Sequence, residues 1–283
     1  MKNPSRAKLV DYLLLVPGIG YIFVFITSTV AVTVLQSFGL FSVTGESHFT
    51  IENWKIIASK GVIDSLVFSL MLGVGSSVGT VLAAFPLALL LRKTSSWKRS
   101  LGSIIKIPLF IPALVATFLI VNLISYDGLV NEALLFLHIV NKPVRMLNDR
   151  WGIGVIVIQI WKNLPFVLLI ISASIAGIRD DTIDAARNLG AGRLAVVWHI
   201  FIPLAMPGVL VAMILMFIRA FGDYPITSLE GPVYPSSIAV RMYTTATLYQ
   251  QWDQAAVIGV IIIVTTLFVV AGYSKLAGIV TRE

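Results

Sequence analysis

The chain has 283 residues, of which 57% are hydrophobic and only 12% charged. Soluble domains carry about twice that charged share, and the mean hydropathy of +0.91 points instead to a protein with several membrane spans. The absence of cysteine excludes disulfides and thiolate metal sites. The net charge of +7 does not signal nucleic acid, because the basic residues collect at the ends of apolar stretches.

Six stretches are long enough for a helix to cross a bilayer: about Tyr12–Leu35, Ser65–Leu91, Ile104–Ser125, Gly152–Ala176, Leu204–Gly222 and Ala255–Gly272. Backbone polar groups cannot stay unpaired in hydrocarbon, so the expected fold is an all-α membrane protein with six transmembrane helices. The first stretch follows a short basic segment. Its apolar run is too long for the core of a signal peptide and no small-residue cleavage site follows, so it reads as an uncleaved first span over 12–35. Pro17-Gly18 would tend to kink it. In the second stretch, Gly75 and Gly79 make a G-x-x-x-G pair suited to close helix packing.

Lysine and arginine set the orientation. With the N-terminus inside, the cytoplasmic segments hold Lys2, Arg6, Lys8, Arg92, Lys93, Lys98, Arg99, Lys106, Arg179, Arg187, Arg193, Lys275 and Arg282. The outer segments hold Lys55, Lys60, Lys142, Arg145, Arg150 and Arg241. This is 13 against 6, so both termini are expected in the cytoplasm. Lys162 and Arg219 fall inside spans.

A charge at midspan costs roughly 2.5–3.5 kcal/mol on insertion scales, so Lys162 must face a cavity or a partner. It sits beside Asn163, and Pro165 frees a carbonyl near Trp161. Two readings stand: a contact on a solute path, or a structural ion pair with Asp223 or Asp127. Arg219 and Asp223 are four apart and can pair on one helix face. Tyr224 and Glu230 lie in the outer segment beyond them. The candidate solute path is thus Lys162, Asn163, Arg219, Asp223 and Tyr224.

The segment between the fourth and fifth stretches, DDTIDAARNLGAGRLAVVWHIFIPLAMPG, lies on the cytoplasmic side by the charge count. Asp180-Asp181-Thr182 suits a helix start. Gly190 suits a left-handed helix stop. Leu194 to Phe201 suits a second short helix ended at Pro203. Two helices joined by a glycine turn make a rigid knob. Ala185 and Ala186 would allow close approach of a partner, and Arg187, Asn188 and Arg193 would offer polar contacts.

Within this segment stand Asp184-Ala185-Ala186, then Gly190, then Ile200, Ile202 and Pro203. They match the spacing E-A-A-x3-G-x9-I-x-L-P, with Asp for Glu and Ile for Leu. The segment therefore resembles the cytoplasmic "EAA" loop of binding-protein-dependent ABC importer permeases. The stretches LVPGIGYIFVFITSTVAVTVLQSF, DSLVFSLMLGVGSSVGTVLAAFPLALLLRK and IWKNLPFVLLIISASIAGI resemble spans of that family. FGDYPITSLEGP resembles its polyamine, ferric-iron and phosphonate branch.

The resemblance implies the type I ABC importer transmembrane-domain fold, a single membrane domain over 1–283, a core permease domain over 62–275 and an ATPase-docking loop over 180–203. The docking residues it implies are Asp184, Ala185, Ala186, Arg187, Gly190, Arg193, Ile200 and Pro203. Implied partners are an ATPase dimer carrying ATP and Mg, a second permease subunit (identical or related), an extracytoplasmic solute-binding protein, and the lipid bilayer of a bacterial inner membrane. No cofactor is expected on this chain. The solute class spans phosphonate, another oxyanion, ferric iron and a polyamine, with Lys162 and Arg219 tilting it toward an anion and Asp223 and Glu230 toward a cation.

No G-x-x-x-x-G-K-[ST] segment is present, so ATP hydrolysis belongs elsewhere. His48, His138 and His199 lack ligand spacing, and no catalytic set is apparent. The alternative is a self-sufficient secondary transporter or channel. Such a protein needs a relay of deeply placed Asp, Glu or His, and none is visible.

Overall fold

Helix is the only regular structure among the described residues, as a backbone that must satisfy itself in lipid requires. The computed structural model describes residues 4–42, 47–93 and 95–280. Lys2 and Arg282, counted among the cytoplasmic charges, lie outside them. In chain order the helices are α1 (Pro4–Ser37), α2 (Lys60–Leu91), α3 (Ser96–Ile105), α4 (Ala113–Ile124), α5 (Leu129–Phe136), α6 (Ile153–Ala176), α7 (Asp180–Asn188), α8 (Arg193–Val196), α9 (Ile202–Phe221), α10 (Pro225–Glu230), α11 (Ile238–Thr247) and α12 (Trp252–Val280).

Six segments are long and apolar enough to cross a membrane: Val16–Ser37, Lys60–Leu91, Ala113–Phe136, Ile153–Ala176, Arg193–Phe221 and Trp252–Lys275. They answer to the six expected stretches, with two corrections. The third span begins at Ala113 rather than Ile104. Pro108 and Pro112 remove two amide donors there, so the chain passes through a 3-10 turn at Ile107–Phe110 before α4 starts. α4 has 12 residues, about 18 Å of helix, so α5 must extend the span. Asn131 holds the turn region by donating to the carbonyls of Ser125 and Val144 and accepting from the Val144 amide.

The fifth span is the second correction. No separate helix ends at Pro203. Instead α8 continues through a π-turn at Val197–Phe201 directly into α9. The Ile202 amide reaches back to the Val197 carbonyl. Pro203 follows in the first turn of α9, directly after this wide turn. At the other proline-glycine site, α1 runs on through Pro17.

The chain divides into two compact units. One comprises residues 1–59 with 242–263. In it Gly259 lets α12 approach Thr33 of α1, and Phe38 stacks between Phe49 and Trp54 at 5.9 and 5.1 Å.

The other unit, residues 60–241 with 264–283, is built on α2, α6 and α9, which pack against one another. Apolar side chains gain little by leaving lipid for protein, so close backbone approach must hold such helices together. α2 supplies it: Ser65, Ser69, Gly73, Ser76, Ser77, Thr80, Ala84 and Ala88 are all small and buried. A Cβ on Gly75 would meet Ile156 Cδ1 at 3.0 Å, and one on Gly79 would meet Ile160 Cδ1 at 2.6 Å. The expected glycine pair is therefore the seat of α6. On the same helix, Gly73 receives the ring of Phe217 from α9.

Candidate functional site

The segment 178–205 folds as a knob packed onto the helical core. α7 ends where expected. Gly190 has φ +87°, the Gly190 amide bonds to the Arg187 carbonyl at 2.9 Å, and the Ala191 amide bonds to the Ala186 carbonyl at 3.0 Å. This is the paired pattern that closes a helix on a left-handed glycine. Ile183, Val196 and Phe201 are buried in the same cluster as Ile175, Ile178 and Ala205, with Ala186, Ala191, Val197 and Ile200 packed beside them.

The start of α7 differs from expectation. Arg179 stands at the cap position, and no side chain caps the helix. Asp181 pairs with Arg179 at 2.6 Å, and Asp180 pairs with Arg92 at 2.8 Å. The two carboxylates still suit the positive end of the helix dipole.

Arg92, at the end of α2, is the fastener of the knob. Its guanidinium donates to Asp180 Oδ1 and, at 2.7 Å, to the Ile178 carbonyl. It also lies 5.3 Å from the centre of the Phe201 ring. Its side chain is only 14% exposed. One planar cation therefore ties α2, the start of α7 and the π-turn together, a task the fork geometry of arginine suits. In the sequence Arg92 is only one of several basic residues at a span end.

The residues expected to dock divide into two groups. Asp184, Ala185, Arg187, Gly190, Arg193 and Pro203 are exposed, and Asp184 and Arg187 lie 3.9 Å apart. Ala186 and Ile200 are turned toward the core and hold the knob in place. The knob also presents three large apolar side chains that sequence reasoning did not single out: Leu189 (90% exposed), Leu194 (76%) and Trp198 (65%). Leu194 and Trp198 are four residues apart. Only exposure distinguishes them from other apolar residues.

The candidate solute-path residues are engaged in local structure. Lys162 forms none of the expected ion pairs. Its ammonium donates to the carbonyls of Pro108 and Ile111. Pro112 cannot bond to the Pro108 carbonyl, so the break before α4 leaves acceptors that Lys162 satisfies. Asn163 is buried and donates to the carbonyl and the side-chain oxygen of Gln159.

The expected Arg219–Asp223 pair is likewise not formed. Arg219 lies over the Phe166 ring at 4.4 Å. The Asp223 carboxylate instead accepts from the amides of Ile226 and Thr227 at 2.9 and 3.1 Å, opening α10. A charge-assisted bond to free amides at a helix start competes well with a flexible surface pair. Tyr224 is half-buried at the head of α10.

From there a chain of bonds ties α10 and the start of α11 to α2. Ser237 donates to Thr227, and the Ile238 amide donates to Ser69 of α2. Glu230 is 2% exposed and accepts from the Asn148 amide. Burial raises the Glu230 carboxyl to about 7, assisted by the nearby Asp149 charge and opposed by the Asn148 amide. Burial also lifts Asp223 to about 6. Glu230 is therefore a structural group at the end of α10 rather than an open solute contact.

The profile of the family described as "binding-protein-dependent transport system inner membrane component" matches residues 62–277. The chain belongs to this family. As a member of it with six candidate spans, it is a multi-pass membrane protein. Among its relatives is the spermidine/putrescine transport system permease protein PotB of Escherichia coli, 27% identical over 184 residues. That match covers 65% of this chain and 66% of PotB, just under two thirds of the relative. The molybdenum transport system permease protein ModB of Escherichia coli is 29% identical over 146 residues, covering 49% of this chain and 58% of ModB.

The fold is that of solved ABC importer transmembrane subunits. A bacterial alginate ABC transporter, in complex with its alginate pentasaccharide-bound periplasmic protein, superposes with a TM-score of 0.76 at 19% identity over 98% of this chain and 97% of that one. The MetNI methionine ABC transporter gives 0.61 at 15% identity over 81% and 98%.

Proposed function

We propose that this chain is the transmembrane permease subunit of an ATP-driven importer in a bacterial inner membrane. It forms part of the solute pathway and couples that pathway to a separate ATPase. The observation that carries this reading is the knob at 178–205: buried on one side, fastened by Arg92, and bearing Leu189, Leu194 and Trp198 uncovered on the other. Uncovered large apolar groups on a rigid mount suit a protein partner. A rigid mount also passes on rigid-body motion when that partner changes shape.

The partner is an ATPase dimer carrying ATP and Mg, and this chain hydrolyses nothing. A second permease subunit completes the pathway, and an extracytoplasmic binding protein delivers solute. Both termini lie in the cytoplasm on this reading. The match over 62–277 supports a core permease domain of about that extent. PotB and ModB carry a polyamine and a molybdenum species by name, which keeps both a cationic and an oxyanionic solute in view.

The test is affinity purification of the tagged chain in mild detergent, with Leu189→Asp and Trp198→Ala beside the native protein. A P-loop ATPase retained by the native chain and lost by both variants is the expected result. Recovery of the native chain alone, under conditions that keep other membrane complexes intact, would sink the proposal.

A further inference from the structure

Beyond the knob, the same side of the second unit carries a groove with no role in the reading above. It has a volume of about 260 Å³ and lies where α3 passes the end of α2 and the flank of α6. Lys98, Arg99, Ser103 and Lys106 line one wall. At helical spacing they share one face of α3 and its extension. The opposite face of α3 carries Trp97 and Ile104, both largely exposed. The floor is apolar, formed in part by Leu168 and Leu169 of α6.

Three features define what fits. First, three cations line the groove and no carboxylate does, and none of the three forms an ion pair among the described residues, although the Lys98 ammonium lies 5.8 Å from the centre of the Trp97 ring. An anion in the groove would meet positive charge alone. Second, α3 is amphipathic, with tryptophan on its free apolar face. A helix of that kind lies in the plane of the membrane boundary, which places the groove at headgroup depth. Third, polar wall and apolar floor meet in one cavity, which suits a ligand that is anionic at one end and hydrocarbon at the other. Basic pockets between spans on the cytoplasmic side bind anionic headgroups by this chemistry.

We propose that the groove between α3 and α6 binds the phosphate headgroup of an anionic phospholipid, with Lys98, Arg99 and Lys106 on the phosphate and the acyl chains running along the exposed Leu169. A soluble phosphate offers the same charge without the hydrocarbon, and the experiment separates the two.

The full chain, purified in mild detergent with whatever subunits accompany it, is offered equimolar dioleoylphosphatidylglycerol and dioleoylphosphatidylcholine. Retained lipid is then quantified by mass spectrometry. The expected result is a preference of about tenfold or more for phosphatidylglycerol, from three cations near the surface. The triple variant K98Q/R99Q/K106Q falls to parity, and Lys142→Gln keeps the preference. Ser103→Glu, an exposed change on the same wall that removes no cation, also abolishes it and covers a triple variant that fails to fold. Equal retention of both lipids by the native chain overturns the proposal, as does undiminished preference in a folded triple variant. Binding of inorganic phosphate without any lipid preference reassigns the groove to a soluble anion and overturns the lipid.

Discussion

Single residues in this chain do work that their positions in the sequence do not announce. Arg92 is the clearest case. Removing it leaves the Ile178 carbonyl and Asp180 without their partner and uncovers one side of Phe201. Hydrogen bonds to charged groups contribute about 1.5–3 kcal/mol each, so Arg92→Met should loosen the knob by a comparable amount. Amide exchange across 180–202 should rise while the α2–α6 amides stay protected. Arg92→Lys should rescue little, because an ammonium cannot serve both acceptors in the same plane.

Glu230 supports a pH prediction. Its folded value, about 7, lies above the ordinary 4.5, so the folded state holds its proton more tightly than the unfolded one. The associated stability is fully present below about 4.5 and is lost as pH rises through 7. Glu230→Gln keeps an acceptor for the Asn148 amide and removes that loss. Its melting temperature in detergent should match the native protein near pH 4.5 and exceed it at pH 8. Asp223, raised from 3.8 to about 6, adds a slope of the same sign between about 4 and 6 that the variant keeps.

At the scale of elements, the span junctions follow from proline placement. Pro108 and Pro112 stop α3 and delay α4, and Lys162 closes the resulting gap from α6. Pro203 stands in the first turn of α9, directly after the π-turn. The helix packing follows from small residues. A Cβ on Gly73 would stand 2.7 Å from Cε2 of Phe217, which is itself fully buried. Gly73→Ala should therefore cost roughly 1–3 kcal/mol by overpacking. The double change Gly73→Ala with Phe217→Leu should recover part of it in thermal unfolding. Full additivity of the two costs would show that the α2–α9 contact is looser than the geometry requires.

The whole molecule raises the question of sidedness. On the charge count the knob is expected inside and the 232–236 segment outside, and the chain has no cysteine. Each introduced cysteine is thus the sole label site. Leu194→Cys, on the knob, should react with an impermeant maleimide only in inside-out vesicles prepared without the ATPase. Val233→Cys, at a position 95% exposed, should react only in intact cells or right-side-out vesicles. Labelling of both from one side would refute the orientation.

Span number, helical class and the helix stop at Gly190 were all legible in the sequence, because each is a local property. Hydropathy is summed over consecutive residues, and the Asp184 to Pro203 pattern and the Gly190 stop lie within one short segment. Side-chain partners were not legible. The pairs expected for Lys162 and Arg219 assumed that opposite charges seek each other. Tertiary packing instead offered Lys162 the carbonyls of a proline break, Arg219 an aromatic face, and Asp223 the amides of a helix start. Arg92, Leu189, Leu194 and Trp198 gained significance only through what folding buried or left uncovered. Sequence fixes which segments must leave water. Only the packed chain decides which groups remain without a partner, because that depends on contacts between residues far apart in the chain.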